Sequence, residues 1–217
     1  QIEKILWKEL RRVHSAGKLL GRMNKTEWLV TVRDPKTGVE KEEFAAFGRK
    51  PADASPVGFQ GIHAPYVLVI VDEANGVASN LWSAIDSLLA NDGSRILEIG
   101  NPDVPSGDFF EHCKPGSGYH VVQIGAFDTP NFTGEQVPPA VARQLVGREY
   151  VEDKRRRWAP RWRWTDDGRR CVPPDGAKPE DSASPLWFAK VLGLSPLVAE
   201  DKTLIPMAWI RAAQERN

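Results

Sequence analysis

The chain has 217 residues, enough to bury one sizeable core. Its 29 lysines and arginines balance 29 aspartates and glutamates, which excludes a global field drawing the whole protein onto nucleic acid or an anionic membrane. Any contact with DNA must come from local patches. Cys113 and Cys171 stand far apart in no metal-ligand spacing, which argues against a disulfide scaffold or a zinc site and for a reducing compartment. The longest purely apolar run, Val67 to Val71, falls far short of the roughly 20 residues a membrane-spanning helix needs. No membrane association is expected, and no signal-peptide pattern opens the chain. The text begins at Gln1 inside a helical pattern, so an upstream segment is expected.

Ile2, Ile5, Leu6, Leu10 and Val13 recur at helical spacing, predicting an amphipathic helix over residues 1–16 with that face buried. Thr26 to Arg33 reads as a strand, Asp34-Pro35-Lys36-Thr37-Gly38 as a turn, and Val39 to Phe47 as the returning strand of a hairpin. After an irregular stretch, Tyr66 to Val71 is β-branched and apolar on both faces, as in a central parallel strand covered by helices. It ends in Asp72-Glu73. A helix is predicted over Ser79 to Ala90, stopped by Asn91-Asp92-Gly93. A strand follows at Arg95 to Ile99, closed by Gly100-Asn101-Pro102, and a third strand is expected at His120 to Ala126. Strand, helix, strand with short turns predicts an α/β fold with a mainly parallel sheet flanked by helices, its functional groups at the carboxyl ends of the strands. Helices are predicted at Pro138 to Val146 and Arg148 to Trp158. Ala159 to Ser184, rich in Pro, Gly, Asp and Arg, reads as a long surface loop, and order returns at Pro185 to Gly193.

An apolar strand ending in two acids is the Walker B arrangement. Asp72 at the tip can hold Mg²⁺, and Glu73 can polarise a water for attack on a γ-phosphate. An ordinary strand running into a polar turn would read the same way. Gly100-Asn101-Pro102 ends the next strand and places a side-chain amide near those carboxylates, provided the two strands are neighbours. Taken alone it is also a turn made for conformational reasons. Lys154 to Trp158, with Arg161, Trp162, Arg163, Trp164, Arg169 and Arg170, interleaves basic and aromatic residues as a phosphate-gripping surface does, and Arg155, Arg156 and Arg157 are its DNA-binding candidates. The competing reading is a solvated helix with (i, i+4) charge pairs. His14 and His63 lack metal-like partners and are read as structural.

Phe59-Gln60-Gly61-Ile62-His63-Ala64, then Val67 through Glu73, then Ile96 through Pro102, in that order, resemble the ATPase region of phage terminase large subunits. Ala126 to Phe132, Leu145 to Trp158, Ser184 to Leu194 and Leu204 to Ile210 look like later segments of the same proteins. The resemblance implies a P-loop NTPase core (ASCE-type) incomplete at its N-terminus. Residues 1–197 would be part of the ATPase domain, 159–183 a loop insertion, and 198–217 the linker toward a nuclease domain. It implies a motor that threads double-stranded DNA into a procapsid in the bacterial host's cytoplasm. ATP and Mg²⁺ would be its cofactors. A portal protein, a terminase small subunit and other copies in a homo-oligomeric ring would be its partners. Carried over, Asp72 ligates Mg²⁺ and lies with Gly100 against the nucleotide, Glu73 is the catalytic carboxylate, and Asn101 couples hydrolysis to motion. No GxxxxGK[ST] phosphate loop occurs, and Gly17-Lys18, at a helix end and followed by Leu19, is no substitute. The chain by itself is therefore expected to be inactive. A helicase-like NTPase fragment and a catalytically inactive binding module remain the alternative readings.

Overall fold

The computed structural model describes residues 6–49, 62 and 64–194. Phe59 to Gly61, His63 and Leu204 to Ile210, which contribute to the terminase resemblance, lie outside the described residues. The chain forms two compact units, residues 1–58 and 59–217.

In the first unit, helix α1 spans Leu6–Ala16. Its buried residue is Trp7, 2% exposed, whereas Leu6 and Val13 of the expected apolar face are 46% and 50% exposed. The helix is rotated so that its largest apolar side chain is covered, with Leu10, Arg11 and His14 following at helical spacing. Arg11 donates from Nη1 to the carbonyls of Asn24 and Lys25 at 3.0 and 2.9 Å. Strands β1 (Arg22–Met23), β2 (Glu27–Arg33) and β3 (Glu40–Phe47) form an antiparallel sheet in that order, so the expected hairpin is present. Asp34 organises its turn by accepting from the backbone N–H groups of Lys36 and Thr37 at 2.7 and 3.0 Å. These bonds favour the charged form and hold its carboxyl below the ordinary value.

The second unit begins with the parallel pair β4 (Leu68–Asp72) and β5 (Arg95–Ile99), connected through helix α2 (Ser79–Leu88). One face of the pair is covered: Val71, Ala74, Trp82, Ile85 and Phe109 form a core, with Phe109 supplied by helix α3 (Asp108–His112). The other face was expected to be covered as well, but Leu68, Ile70, Leu97 and Ile99 are 63%, 53%, 48% and 50% exposed. Residues 120–125 differ again from expectation. They form no strand among the described residues, and Val122 and Ile124 are 70% and 69% exposed. An apolar β-branched run becomes a strand only when a neighbour supplies hydrogen bonds. The architecture is thus α/β with mixed sheets: one parallel pair and two separate antiparallel sheets.

A second core gathers the rest of this unit. Helices α4 (Pro130–Thr133), α5 (Pro139–Ala142) and α6 (Arg148–Trp158) are followed by a small hairpin of β6 (Arg163–Trp164) and β7 (Cys171–Val172). Helix α7 (Pro185–Trp187) continues into a π-helical turn, Phe188–Leu192, that ends at Gly193. The stretch expected as a surface loop after Trp158 contributes Ala159, Trp162 and Cys171 to this core. Trp162 donates from Nε1 to Ser182 Oγ at 2.9 Å and meets the Trp187 ring at 5.6 Å. Irregular backbone hides no periodicity to read, yet it delivers aromatic side chains inward at single positions.

Candidate functional site

Asp72 is the last residue of β4 and its side chain is exposed. The backbone then turns sharply. Glu73 adopts left-handed φ 54° and ψ 44°, and a 3₁₀ turn, Ala74–Gly76, begins directly after it. Asp72 Oδ1 accepts from the Glu73 N–H at 3.1 Å, which aligns the turn. The carboxylate of Glu73 makes no hydrogen bond or ion pair among the described residues and faces solvent.

The register pairs Asp72 with Ile99, so Gly100 and Asn101 leave the neighbouring strand at the same sheet edge as the two acids. The condition that the two strands be neighbours is met. Gly100 is fitted closely: a Cβ there would lie 3.1 Å from the Phe109 ring and 3.3 Å from the Ala74 backbone nitrogen. The tip of β5 therefore touches the residue that follows Glu73, and glycine allows that approach. Asn101 is exposed, and its carbonyl accepts from the Asp103 N–H at 2.8 Å. Asp103 is ion-paired with Lys190 of the π-helical turn, which ties the loop after Asn101 to the second core.

A single exposed aspartate fits a magnesium ion carried by a nucleotide, because Mg²⁺ keeps several waters and takes one or two carboxylates plus phosphate oxygens. It does not fit a cage built by the protein alone. Among the described residues no group of three or more His, Cys, Asp or Glu is placed to hold a metal. Glu73 beside it is available to polarise a water, and the Asn101 amide can donate to a phosphate or orient that water.

The arginines proposed for DNA are used within their own helix. Arg155 makes a bidentate pair with Glu152 at 2.8 and 2.9 Å and donates to the Trp162 carbonyl. Arg156 also reaches Glu152, and Arg157 reaches Asp153 at 3.0 Å. The charge-pair reading of this helix describes what is seen. His14 is structural: Nε2 lies 3.2 Å from the Leu20 carbonyl, and its ring meets Trp28 edge-on at 5.2 Å.

Sequence reasoning missed a polar cluster under the covered face. Glu98 of β5, with a side chain only 6% exposed, contacts His112 Nδ1 through both oxygens at 2.9 and 3.0 Å. His112 is stacked on Tyr119 at 4.3 Å and touched edge-on by Trp82 at 5.2 Å. Burial, reinforced by the nearby Glu98 charge, pushes the Tyr119 hydroxyl up to about 12. Only the alternation along β5, which puts Glu98 inside, hinted at it. The cluster fastens α3 to the sheet beneath the site.

Fold and site together define an α/β protein whose parallel strand pair carries two acids and a glycine–asparagine turn along one carboxyl edge. A stretch of 51 residues, 24% of this chain, is 41% identical to the probable terminase large subunit of Enterobacteria phage P7. The chain is thus similar to a terminase large subunit, as the motifs had suggested, and the match spans 10% of that protein's length. No family model matches the chain, and no solved structure matches it.

Proposed function

We propose that this chain is part of the ATP-hydrolysing, DNA-packaging motor of a tailed phage or prophage. It would contribute the carboxylate edge of a P-loop nucleotide site. Asp72 would hold the magnesium of Mg·ATP, and that ion would offset charge on the phosphates. Glu73 takes the proton from the attacking water or orients it, and Asn101 places its amide against the γ-phosphate. Gly100 lets the two strand tips touch, so a change at Asn101 is passed to the turn that carries Glu73. The observation that carries this reading is the in-register pairing of Asp72 with Ile99, which sets both motifs on one edge. The similarity to the phage P7 protein supports the same class.

No GxxxxGK[ST] phosphate loop occurs in the 217 residues, so a site of this kind would take its phosphate loop from elsewhere in the motor. The half-exposed face of β4 and β5 and the unpaired strand-like run at 120–125 suit a sheet completed in that way. Double-stranded DNA, a portal protein, a small subunit and a ring of identical subunits in the bacterial cytoplasm belong to the same proposal. No helix among the described residues is long and apolar enough to cross a membrane.

The test is Mg²⁺-dependent ATP turnover by the full-length protein that contains this chain. Glu73→Gln should remove turnover, by a factor on the order of a hundred or more, while nucleotide binding persists. Asn101→Ala should lower kcat more than it raises KM. Turnover in Glu73→Gln equal to the unaltered protein sinks the assignment.

A further inference from the structure

With the α6 arginines paired to acids, two arginines of the hairpin that follows carry guanidiniums outside any ion pair among the described residues. Arg169 and Arg170 are exposed, and neither guanidinium makes a hydrogen bond or ion pair among the described residues. They border an open groove of about 620 Å³ that also includes Thr133, Thr165, Phe127 and Phe132. Arg148 stands beside it, 4.8 Å over the Trp164 ring and 5.7 Å over Phe132, so its guanidinium is held in place without an acid to neutralise it.

The tip is built rather than loose. Thr165 donates to Asp167 Oδ1 at 2.6 Å, the Arg169 N–H donates to the same oxygen at 3.0 Å, and the Arg170 N–H donates to Thr165 Oγ1 at 3.2 Å. These bonds fix the backbone on which both arginines are carried. Two left-handed glycines make room for the guanidiniums. A Cβ on Gly168 would lie 3.2 Å from Arg148 Nη1, and one on Gly134 would lie 3.2 Å from Arg169 Nη2. Asp166 and Asp167 both line the groove; the hydrogen bonds from Thr165 and the Arg169 N–H hold the Asp167 carboxyl below its ordinary value, helped by the nearby Arg169 and Arg170 charges, so it stays an anion that offsets part of their field.

We propose that this groove is a phosphate-binding site and that its ligand is the phosphodiester backbone of duplex DNA, gripped by Arg169 and Arg170 with Arg148 alongside. Guanidinium forks match phosphate geometry and remain charged at every working pH. The aromatic rings of the groove are 8% and 2% exposed, so they offer no platform on which bases could stack. That favours backbone contact, independent of sequence, over single-stranded binding. Duplex DNA as the source of the phosphate rests on the packaging reading; the groove's affinity for phosphate does not.

The experiment is fluorescence anisotropy of a labelled duplex of random sequence titrated with the full chain, from about 50 to about 200 mM salt. Arg169→Gln with Arg170→Gln should weaken binding on the order of tenfold and flatten the slope of log affinity against log salt by about 2, one per phosphate contact. Arg156→Gln with Arg157→Gln should change affinity less than about twofold, because those charges already have partners. Asp166→Asn, which removes one of the groove's two negative charges, should tighten it. Unchanged melting by circular dichroism shows that the variants fold. Equal affinity in the Arg169/Arg170 variant, or an equal loss in the Arg156/Arg157 variant, overturns the proposal. Pyrophosphate binding lost in the Arg169/Arg170 variant, with no duplex bound by the unaltered chain, overturns DNA as the ligand and takes support from the packaging reading. Duplex binding as expected, with no ATP turnover in the full-length protein, sinks the motor reading and leaves the groove standing.

Discussion

Glu152 joins helix, hairpin and aromatic core, and Glu152→Gln measures how much that junction contributes. Oε2 accepts from Arg155 Nε and Trp164 Nε1, both at 2.8 Å, while Oε1 accepts from Arg155 Nη2 at 2.9 Å and Arg156 Nε at 2.8 Å. The Arg156 side chain is 72% exposed, so its share is small. The Arg155 pair, at 19% and 24% exposure, and the indole bond carry the effect. Glutamine turns its amide NH₂ toward one of these donors and leaves that donor unsatisfied, a loss of about 2–3 kcal/mol. In a chain of this size that lowers Tm by about 4–12 °C. The Arg155 guanidinium, with help from Trp164 and Arg156, holds the Glu152 carboxyl far below the usual range. Because the folded value is depressed, the stabilisation is complete above the ordinary glutamate value of 4.5 and is lost as pH falls below it toward the folded value. Urea unfolding followed by tryptophan fluorescence, at neutral pH and at steps below 4.5, checks both claims. A Glu152→Gln protein as stable as the original at neutral pH, or one with the same acid loss, would refute the reasoning.

Two further outcomes follow from local geometry. Gly48→Ala would put a Cβ 2.5 Å from Trp7 Nε1, inside the first unit, so helix α1 must shift; the expected loss is about 1–3 kcal/mol, read as faster amide exchange over residues 27–47. Burial pushes the Cys171 thiol up to about 12 and leaves it 6% exposed, whereas Cys113 is raised less and is partly accessible. Iodoacetamide near pH 8 should therefore label Cys113 first and Cys171 only in denaturant, as mass spectrometry of the digests can show.

The parts of the fold that could be read in advance are those where a local pattern and its burial agree. Val69 and Val71 alternate with Leu68 and Ile70, the run ends in acids, and β4 lies where the run lies. Asp34 to Gly38 is a turn because its own side chain and glycine make it one. Helix α1 formed, but which side it buries was decided by Trp7 and by Arg11 reaching the carbonyls of Asn24 and Lys25, contacts between residues far apart in sequence. The run at 120–125 has strand composition without a strand partner, a condition no local pattern reveals. At the candidate site, the two motifs lie at the ends of neighbouring strands, as the strand–helix–strand order had predicted. The pairing of Arg155 to Arg157 with Glu152 and Asp153 was legible as helical spacing; Arg169 and Arg170 were legible as part of a basic-aromatic cluster, but the turn that carries them was not.

The conformation of Glu73 offers a way to separate folding from chemistry. Among the described residues only Lys18 and Glu73 hold a positive φ without being glycine. A side chain in that region costs roughly 1–2 kcal/mol through contact of Cβ with the backbone. Nothing in the fold offsets it through the side chain, which is exposed and makes no hydrogen bond or ion pair there. Glycine meets no such contact, so Glu73→Gly should raise stability by up to about 1 kcal/mol, the gain being reduced by glycine's greater freedom in the unfolded chain. Turnover of the full-length protein should disappear in the same variant. If Glu73 serves the proposed hydrolysis, its strained backbone and free carboxylate are kept for that chemistry and not for the fold. If Glu73→Gly is less stable and still turns over ATP, the glutamate serves the fold and the catalytic base must be sought elsewhere.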